Sequence, residues 1–492
     1  MEQKRVLAID FGASNGRAII AEYSQDKKIM EIKEIHRFPN EPVMVNGTLY
    51  WDVLRLFHEI KCSLVKAKQI GKIESIAIDT WGVDFGLLGK AGKLLGNPVH
   101  YRDTRTQGML EKSFRRIERA DFYSHTGNQF LEINTAFQLH AMRESTPEVL
   151  EQADCLLLMP DLFHYFLSGK KTAELSIAST TQLFDPVKRS WSAKILEALD
   201  LKPELFPKLV ESGTVIGRLS PDICEELGVE AMKVIAVAGH DTQSAIAAVP
   251  AGEADFIFIS CGTWSLVGTE LPAPIINENS LALNITNEQG IGGKTTFLKN
   301  ITGLWLIQES RRQWIQEGFS GSFEDLEAMA GAAKPFQCFI DPDAPVFAQP
   351  GDIPDRIRQY CKQTEQYVPV SKGEIVRCIN ESLALKYRLT VGEIKTCTGK
   401  EYNRIYIIGG GVRSEMLCQM TADASHCMVS AGPVEATALG NSAVQLMALG
   451  QLKDLQELRE AVKRSSEIKL YRNEGGSDWD AAYERFIKVI RP

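Results

Sequence analysis

The stretch VLAIDFGASNGRAII, residues 6–20, gives the first indication of the fold. An apolar run ends at Asp10, passes through small residues and becomes apolar again. This pattern predicts two strands, 5–10 and 17–23, joined by a hairpin turn. The backbone N–H groups of such a turn can hold an anion, because no large side chain blocks its approach.

Asp10 beside this turn would repel a phosphate unless a metal ion lay between them. Mg²⁺ commonly takes one or two carboxylates together with phosphate oxygens. The stretch therefore predicts a site for a magnesium-bound nucleotide, with Asp10 near the metal and the turn on the phosphates. An ordinary hairpin without a ligand is the alternative, because small-residue turns join many strands.

The elements after this hairpin define the order of the first domain. Residues 29–38 read as a third strand, and apolar residues at helical spacing from Val53 to Val65 predict a helix that Asp52 could cap. An apolar run then ends at Asp79. The order strand, strand, strand, helix, strand predicts an α/β domain with a mixed sheet, of the ribonuclease-H-like plan.

Length and composition exclude several classes of protein. The chain has 492 residues, 44% of them hydrophobic, which predicts two domains with substantial cores. The net charge of −8 without a basic block argues against a nucleic-acid partner. The start, MEQKRVLAID, lacks the apolar core of a signal peptide, and no apolar run reaches about 18 residues. We therefore expect a cytoplasmic protein without a membrane partner.

The ten cysteines are scattered and form no CxxC pair, which argues against a zinc site. Cys361 and Cys378 are close enough in sequence to pair on oxidation.

A second copy of the opening design occurs at ADFIFISCGTWSLVG, residues 254–268. Its offset of about half the chain predicts an internal repeat, and hence two similar halves facing each other across a cleft. Ser260 and Cys261 precede the second glycine, Gly262, where the first copy has its aspartate. The metal is therefore expected on the first side.

The stretch VIAVAGHDTQSAIAAV, residues 234–249, predicts a strand, a turn at Gly239 and a short helix opened by Asp241. Asp241 has two interpretations: an N-cap of that helix, or a general base at the mouth of the cleft. His240 is expected to support the site rather than to act as the base.

Near the end, NRIYIIGGG, residues 403–411, predicts a strand that enters three glycines, followed by a helix. Consecutive glycines let a flat ring or a phosphate lie against the backbone. The spacing of a dinucleotide-binding fingerprint is missing. The small residues of SAGPVEATALGN, 430–441, predict close helix packing nearby.

Together these motifs resemble the FGGY carbohydrate kinases, within the superfamily of sugar kinases, Hsp70 and actin. The resemblance covers nearly the whole chain, more loosely around residues 320–400, and implies two ribonuclease-H-like domains, 1–247 and 248–492. The matching motifs are IDFGASNGR (9–17), IDTWGVDF (78–85), YRDTRT (101–106), LLMPD (157–161), GHDT (239–242), SCGTWSLVG (260–268), LKNITGLWL (298–306), IIGGG (407–411) and AGPVEATALGN (431–441).

The resemblance implies a role for each matching position. ATP would be bound by Ala13, Ser14, Asn15, Gly16, Arg17, Thr263, Gln308 and Gly410. The sugar would be bound by Gly82, His240, Asp241, Thr242 and Asn300. Asp241 would be the proton acceptor, and Asp10 would hold Mg²⁺ through water. Arg102 and Asp103 could contact the sugar, although a solvent-exposed ion pair explains them equally well.

The implied reaction is transfer of a phosphoryl group from ATP to the 1-hydroxyl of a ketose, L-rhamnulose, by a monomer or homodimer. A kinase for L-fuculose or a pentulose is the nearest alternative. A chaperone or filament ATPase of the superfamily and a sugar-responsive repressor are the others. One departure is Gln138, which stands near the point where the general family signature has a lysine.

Overall fold

The computed structural model describes residues 4–490, which form two compact units. The first unit comprises residues 4–250, 270–297 and 436–465, and the second comprises 251–269, 298–435 and 466–490. The predicted division into 1–247 and 248–492 stays a prediction.

The strands, in chain order, are β1 Lys4–Phe11, β2 Asn15–Ser24, β3 Ile29–Pro39, β4 Val43–Val45, β5 Thr48–Tyr50, β6 Ser75–Thr80, β7 Phe85–Gly89, β8 Ala153–Leu158, β9 Ala173–Glu174, β10 Phe184–Asp185, β11 Ser190–Trp191, β12 Leu209–Val210, β13 Thr214–Arg218, β14 Lys233–Ala236, β15 Ile257–Cys261, β16 Trp264–Leu271, β17 Thr286–Gln289, β18 Thr295–Thr302, β19 Arg404–Ile408, β20 Met428–Ala431 and β21 Lys469–Tyr471.

The α-helices are α1 Val53–Lys68, α2 Met109–Phe114, α3 Arg119–Thr126, α4 Thr135–Ser145, α5 Pro147–Gln152, α6 Met159–Ser168, α7 Leu175–Ala178, α8 Ala193–Ala198, α9 Pro221–Leu227, α10 Asp241–Ala247, α11 Glu278–Ala282, α12 Trp305–Gln316, α13 Phe323–Ala332, α14 Ile353–Gln363, α15 Lys372–Thr398, α16 Glu415–Ser425, α17 Ala436–Ala448, α18 Leu455–Ser465 and α19 Asp478–Ile490. Across residues 4–490, none of these helices combines the length and the apolar character needed to cross a membrane.

The first unit is built on a six-stranded mixed sheet with the order β13-β14-β6-β1-β2-β3. β1 and β2 form the predicted antiparallel hairpin, and β6 lies parallel to β1 on its other side. Helix α1 begins where predicted, because the Asp52 side chain accepts a hydrogen bond from the Arg55 N–H at 3.2 Å. The order strand, strand, strand, helix, strand is confirmed, with the short hairpin β4–β5 added before α1.

Alternation along β1 separates the apolar core from the polar face of this sheet. Leu7, Ile9 and Phe11 are buried in one cluster together with the apolar face of α1. Asp10 therefore points to the opposite face, where helix α17 packs against β1. Gln445 of α17 donates a hydrogen bond to the Leu7 carbonyl at 3.1 Å.

The second unit repeats the central arrangement of strands. β15 and β16 form an antiparallel hairpin, and β19 lies parallel to β15, as β6 lies parallel to β1. β20 continues the sheet in parallel, and β21 closes it in antiparallel. The predicted internal repeat and the α/β class are therefore both seen in the fold.

Three cysteines from separate segments come together in the second unit. The Sγ atoms of Cys338, Cys361 and Cys378 all lie within 4.8 Å of one another, and all three residues are buried. The absence of CxxC pairs does not reveal this cluster, because the chain returns twice to the same core, and the expectation that the chain has no zinc site stays a prediction. Cys361 and Cys378 are free thiols, so their pairing stays a prediction.

Candidate active site

The turn between β1 and β2 is held in shape by Asn40. The Gly12 N–H donates to the Asn15 carbonyl at 2.9 Å, and the Asn40 side chain donates to the Gly12 carbonyl at 2.9 Å. The Asn40 N–H donates to the Ser14 carbonyl at 3.1 Å. Ser14 is exposed, and Ala13 and Asn15 are half-buried. The predicted phosphate loop is thus a fixed turn that remains open to a ligand.

Gly16 has a packing reason that the sequence does not reveal. A Cβ atom at this position would lie 2.2 Å from the Phe38 ring, which is too close for any side chain. The glycine at the end of the turn is therefore required by the contact between β2 and β3, whatever the turn binds.

Two carboxylates and one guanidinium meet at the end of β1. Asp10 stands opposite Arg17 across the hairpin and beside Asp79 of β6 in parallel register. The Arg17 guanidinium donates to Asp10 Oδ2 at 2.5 Å. Asp10 is only 5% exposed, so this ion pair offsets part of its loss of solvation.

Asp79 is fully buried, and Asn441 donates to its Oδ2 at 2.5 Å. Its other oxygen, Oδ1, has no hydrogen-bond partner within the part of the chain that the structure describes. Burial, and then the neighbouring charges of Asp10 and Asp241, raise the pKa of Asp79. The buried, unpaired oxygen and the adjacent Asp10 carboxylate are the hard oxygen donors that Mg²⁺ prefers.

Helix α10 begins at Asp241, one residue earlier than an N-cap role for Asp241 requires. His240 is the N-cap residue, and Asp241 is the first residue of the helix, so the N-cap interpretation of Asp241 is wrong. Asp241 Oδ1 accepts the Thr242 N–H at 2.6 Å, which fixes the carboxylate at the helix end. Burial raises the pKa of Asp241 to about 6, although the nearby His240 ring opposes that shift. A carboxylate held in this way is suited to act as a base.

Each ring nitrogen of His240 has a carboxylate nearby, and the one on Nδ1 is within hydrogen-bond distance. Nδ1 lies 3.0 Å from Glu288 Oε2, and Nε2 lies 3.6 Å from Asp241 Oδ1. Burial alone would lower the pKa of His240, but the Glu288 carboxylate beside it produces a net rise. The ring is therefore favoured in its charged form, as expected for a residue that supports the site.

Gly82 lies in a tight loop between β6 and β7. A Cβ atom on Gly82 would lie 3.3 Å from the Thr180 side chain, and the next residue, Val83, has a positive φ of 66°. The Thr180 hydroxyl accepts the Val83 N–H at 3.2 Å. The loop is thus fixed by contacts behind it.

Asp84, in the same loop, is buried, and its carboxylate accepts several side-chain hydrogen bonds. Its Oδ2 accepts from the indole N–H groups of Trp51 at 2.6 Å and Trp81 at 2.9 Å. Gln138 donates to Oδ1 at 3.0 Å and accepts from the Arg105 guanidinium at 2.6 Å. Burial still raises the pKa of Asp84 to about 6. Gln138 therefore connects Asp84 to a cation, Arg105, which accounts for a glutamine near the expected lysine.

Asp103 has a structural role in the first unit. Its Oδ2 accepts the Leu49 N–H at 2.8 Å, and its Oδ1 accepts the Arg105 N–H at 3.0 Å. The Arg102 guanidinium lies over the Tyr101 ring at 5.4 Å. These contacts give Asp103 a structural role, and a contact of Arg102 and Asp103 with the sugar stays a prediction.

In the second unit the hairpin β15–β16 brings two predicted residues together. The Thr263 hydroxyl donates to Gln308 Oε1 at 3.2 Å. The Thr263 carbonyl accepts the Gly303 N–H at 3.1 Å, which anchors the start of α12 beside the turn. Asn300 lies half-buried on β18, just before that connection.

The glycine run after β19 packs against Cys261. A Cβ atom on Gly411 would lie 2.2 Å from Cys261 Sγ, and Gly409 has a φ of 82°. Gly410 begins a short 3₁₀-helix, Gly410–Arg413, that precedes α16. Two of the three glycines are therefore required by the fold, and Gly410 has the loosest surroundings of the three.

Family comparisons match almost the full chain. The N-terminal domain of the FGGY family of carbohydrate kinases matches residues 5–248, and its C-terminal domain matches residues 257–449. The chain belongs to the FGGY family of carbohydrate kinases.

Relatives within this family match over the full length. The rhamnulokinase of Bacteroides thetaiotaomicron is 42% identical over 490 residues, which cover 99% of this chain and 100% of the relative. The rhamnulokinase of Bacillus subtilis is 39% identical, with 94% of both chains covered. A ligand-bound xylulose kinase from Lactobacillus acidophilus has a TM-score of 0.80 at 18% identity, with 99% of this chain and 96% of that chain covered. That structure shares the fold.

Sequence reasoning misses the supporting residues of this FGGY chain. Asp79 is recognisable only as the end of a strand, and Glu288 has no local signature. Their positions follow from strand register and from long-range packing, which no spacing in the sequence encodes. A buried acidic residue in an apolar strand, as in IAIDT, is the one signal that could have indicated Asp79.

Proposed function

We propose that this FGGY chain transfers the γ-phosphoryl group of ATP to the 1-hydroxyl of L-rhamnulose. The observation that carries the choice of sugar is the full-length similarity to curated rhamnulokinases. The family supports ATP as the phosphoryl donor. A cytoplasmic location, where ATP is available, is part of the proposal, whereas a monomer or homodimer stays a prediction.

Asp241 is the proposed proton acceptor. The sugar O1 attacks the γ-phosphorus, the bond to the β–γ bridging oxygen breaks, and the proton of O1 passes to an Asp241 carboxylate oxygen. Phosphoryl transfer depends mainly on positioning and charge stabilisation, so a weak base is sufficient. Holding the two reactants in line contributes about 7–11 kcal/mol relative to a bimolecular encounter.

The carboxylates at the end of β1 fit a magnesium ion. Asp10, through water, and Asp79 would hold it, because both offer oxygen donors on one face of the sheet. When bound, Mg²⁺ supplies positive charge to the phosphate oxygens. Arg17, which pairs with Asp10, brings a further positive charge to the same place.

The remaining roles are assigned within each unit. In the first unit, the open turn Ala13–Arg17 binds phosphates, and Gly82, His240 and Thr242 bind the sugar. In the second unit, Thr263 binds phosphates, Gln308 and Gly410 contact the nucleotide, and Asn300 hydrogen-bonds sugar hydroxyls. The contact between Thr263 and Gln308 supports their assignment to one ligand.

Steady-state ADP release over a panel of ketoses tests the proposal. The panel is L-rhamnulose, L-fuculose, D-xylulose and L-ribulose, each at varied concentration with saturating ATP and Mg²⁺. We expect the highest kcat/KM with L-rhamnulose and negligible ADP release without sugar. A higher kcat/KM with another ketose would make that ketose the substrate instead of L-rhamnulose. ADP release independent of sugar would favour a chaperone-like or filament-like ATPase.

A further inference from the structure

Glu288 is a buried carboxylate that none of the assigned roles explains. It lies on β17, is 4% exposed, and faces the turn that precedes α10. A buried carboxylate requires charged or hydrogen-bonding partners to offset its loss of solvation. The identity of those partners indicates what Glu288 does.

Both partners of Glu288 belong to the segment that carries Asp241. Glu288 Oε2 lies 3.0 Å from His240 Nδ1 and accepts from Gln243 Nε2 at 2.9 Å. The Thr296 hydroxyl donates to Gln243 Oε1 at 2.8 Å, so the amide cannot turn without losing a hydrogen bond. One oxygen of Glu288 thus receives two donors from adjacent turns of the same element.

The strand that carries Glu288 is itself fixed. The Asn287 N–H donates to the Gly127 carbonyl at 2.9 Å, and the Gln289 N–H donates to the Ser179 hydroxyl at 2.9 Å. The backbone that carries the Glu288 carboxylate is therefore fixed in position beside the His240 imidazole.

A second buried glutamate acts on the same segment through different atoms. Glu174 Oε2 accepts the Gly239 N–H at 2.9 Å and the Ser176 hydroxyl at 2.5 Å. The same hydroxyl accepts the His240 N–H at 3.3 Å. Glu174 thus fixes the backbone of the turn, which leaves the orientation of the His240 ring to Glu288.

We propose that Glu288 is a positioning residue that holds the His240 ring through Nδ1, so that its Nε2–H faces the Asp241 carboxylate. The inference rests on the proposed function, in which Asp241 is the base. An ionised Glu288 can only accept, so the proton on Nδ1 is fixed, and the charged ring then has a second proton on Nε2 directed at Asp241. The positive ring favours the ionised form of Asp241, which is the form that accepts a proton.

Other charges face these two side chains. His240 faces Glu288, Asp241 and Glu174, and all three carboxylates favour its charged form. Asp241 faces His240, which favours the carboxylate, and Asp10, which opposes it. Removing the charge of Glu288 should therefore lower the pKa of His240 by about 1–3 units and raise that of Asp241.

The test compares Glu288→Gln with wild type and with Glu270→Gln. The amide introduced by Glu288→Gln retains an oxygen that can accept from Nδ1 but has no charge. Glu270 is the matched control, because it is a buried glutamate of the same unit that binds Arg459 at 2.7 Å and Lys294 at 2.9 Å. Ring titrations are followed by NMR on protein labelled with ¹⁵N-histidine, without nucleotide, and a His240→Gln sample assigns the signal.

We expect the His240 titration of wild type to have its midpoint above about 6.5, the value of a free histidine side chain. In Glu288→Gln the midpoint should fall by about 1–3 units, and the acidic limb of kcat against pH should move upward by about one unit. Glu270→Gln should leave both unchanged.

In the wild type, a His240 titration midpoint at or below that of a free histidine would overturn the inference. This result needs no variant, so the test remains valid if Glu288→Gln does not fold. A folded Glu288→Gln protein with an unchanged His240 midpoint would also overturn it. If the wild type failed to phosphorylate any ketose, the proposed function would fail, and the NMR titration would still decide the role of Glu288.

Discussion

The two hairpins β1–β2 and β15–β16 have the same topology and different chemistry. Each is an antiparallel pair with a parallel neighbour, β6 in one unit and β19 in the other. At the end of the first hairpin Asp10 pairs with Arg17, whereas Cys261 pairs with Ser265 at the end of the second. An acidic and a basic side chain thus meet at one turn, and a thiol and a hydroxyl at the other.

The polar side chains at the end of the β15–β16 hairpin have their partners in the core of the second unit. The Ser265 hydroxyl lies 2.6 Å from the Tyr387 hydroxyl, and Cys261 Sγ lies 3.7 Å from the same group. Burial raises the pKa of the Cys261 thiol, which keeps it uncharged. The comparison indicates that the repeat supplies two similar turns, of which only the first carries the side chains proposed to hold the metal.

The largest effect is expected from Asp241→Asn, which removes the proton acceptor and retains the shape of the side chain. We expect kcat to fall by about 10²–10⁴-fold, the usual contribution of a positioned base. ATP binding, measured by calorimetry, should remain, because the phosphate turns are untouched. A kcat close to wild type would show that the base lies elsewhere.

The metal assignment is tested by Asp10→Asn, paired with Cys261→Ser at the same place in the other hairpin. Loss of a carboxylate that holds Mg²⁺ through water should raise the Mg²⁺ concentration for half-maximal activity by about 10–100-fold. Cys261→Ser should not change it. Equal Mg²⁺ titrations for Asp10→Asn and wild type would contradict the metal role of the first hairpin.

The pH dependence of kcat should show the ionisation of Asp241. A base must be deprotonated to act, so activity should rise with pH through about 6, the raised pKa of this carboxyl. Well below that pH, kcat should fall about tenfold per pH unit. Measuring kcat from pH 4.5 to 8 at saturating substrates checks this. An acidic limb centred near the ordinary pKa of an aspartate would contradict the claim that burial raises the pKa of Asp241.

The smallest effect on activity is expected from Ser265→Ala in the β15–β16 hairpin. The Tyr387 hydroxyl would lose its 2.6 Å partner inside the core, so the free energy of unfolding should fall by about 1–3 kcal/mol. The double variant with Tyr387→Phe should recover part of that loss, because no unpaired hydroxyl remains. A large fall in kcat at full stability would instead give this serine a direct role at the site.

Local patterns in the sequence predicted much of the framework. The β1–β2 hairpin, α1 with its Asp52 cap and the repeated strand pair all follow from periodicity and turn residues. The β4–β5 hairpin was not predicted from the sequence. Its turn is nevertheless marked by Asn46-Gly47, whose φ angles are 49° and 83°. Its strands carry an exposed Met44 and are only three residues long, so the apolar alternation that predicts strands is weak.

The assembly of the candidate site was less accessible from the sequence. Asp10 and Asp79 are adjacent because β1 and β6 pair in parallel, and that register is set by packing across the whole sheet. The connection of Asp84 through Gln138 to Arg105 joins three separate segments. Resemblance to the family indicated the residues proposed to contact ligands, whereas the side chains behind them could be identified only from the structure.

Product analysis by NMR tests whether this chain phosphorylates L-rhamnulose at the 1-hydroxyl. L-Rhamnulose labelled with ¹³C at C1 is incubated with ATP, Mg²⁺ and the enzyme, and the product is examined for coupling between carbon and phosphorus. We expect one sugar phosphate, with ³¹P coupled to the labelled C1, formed in equal amount to ADP. Formation of ADP without that product, or coupling to another carbon, would contradict it.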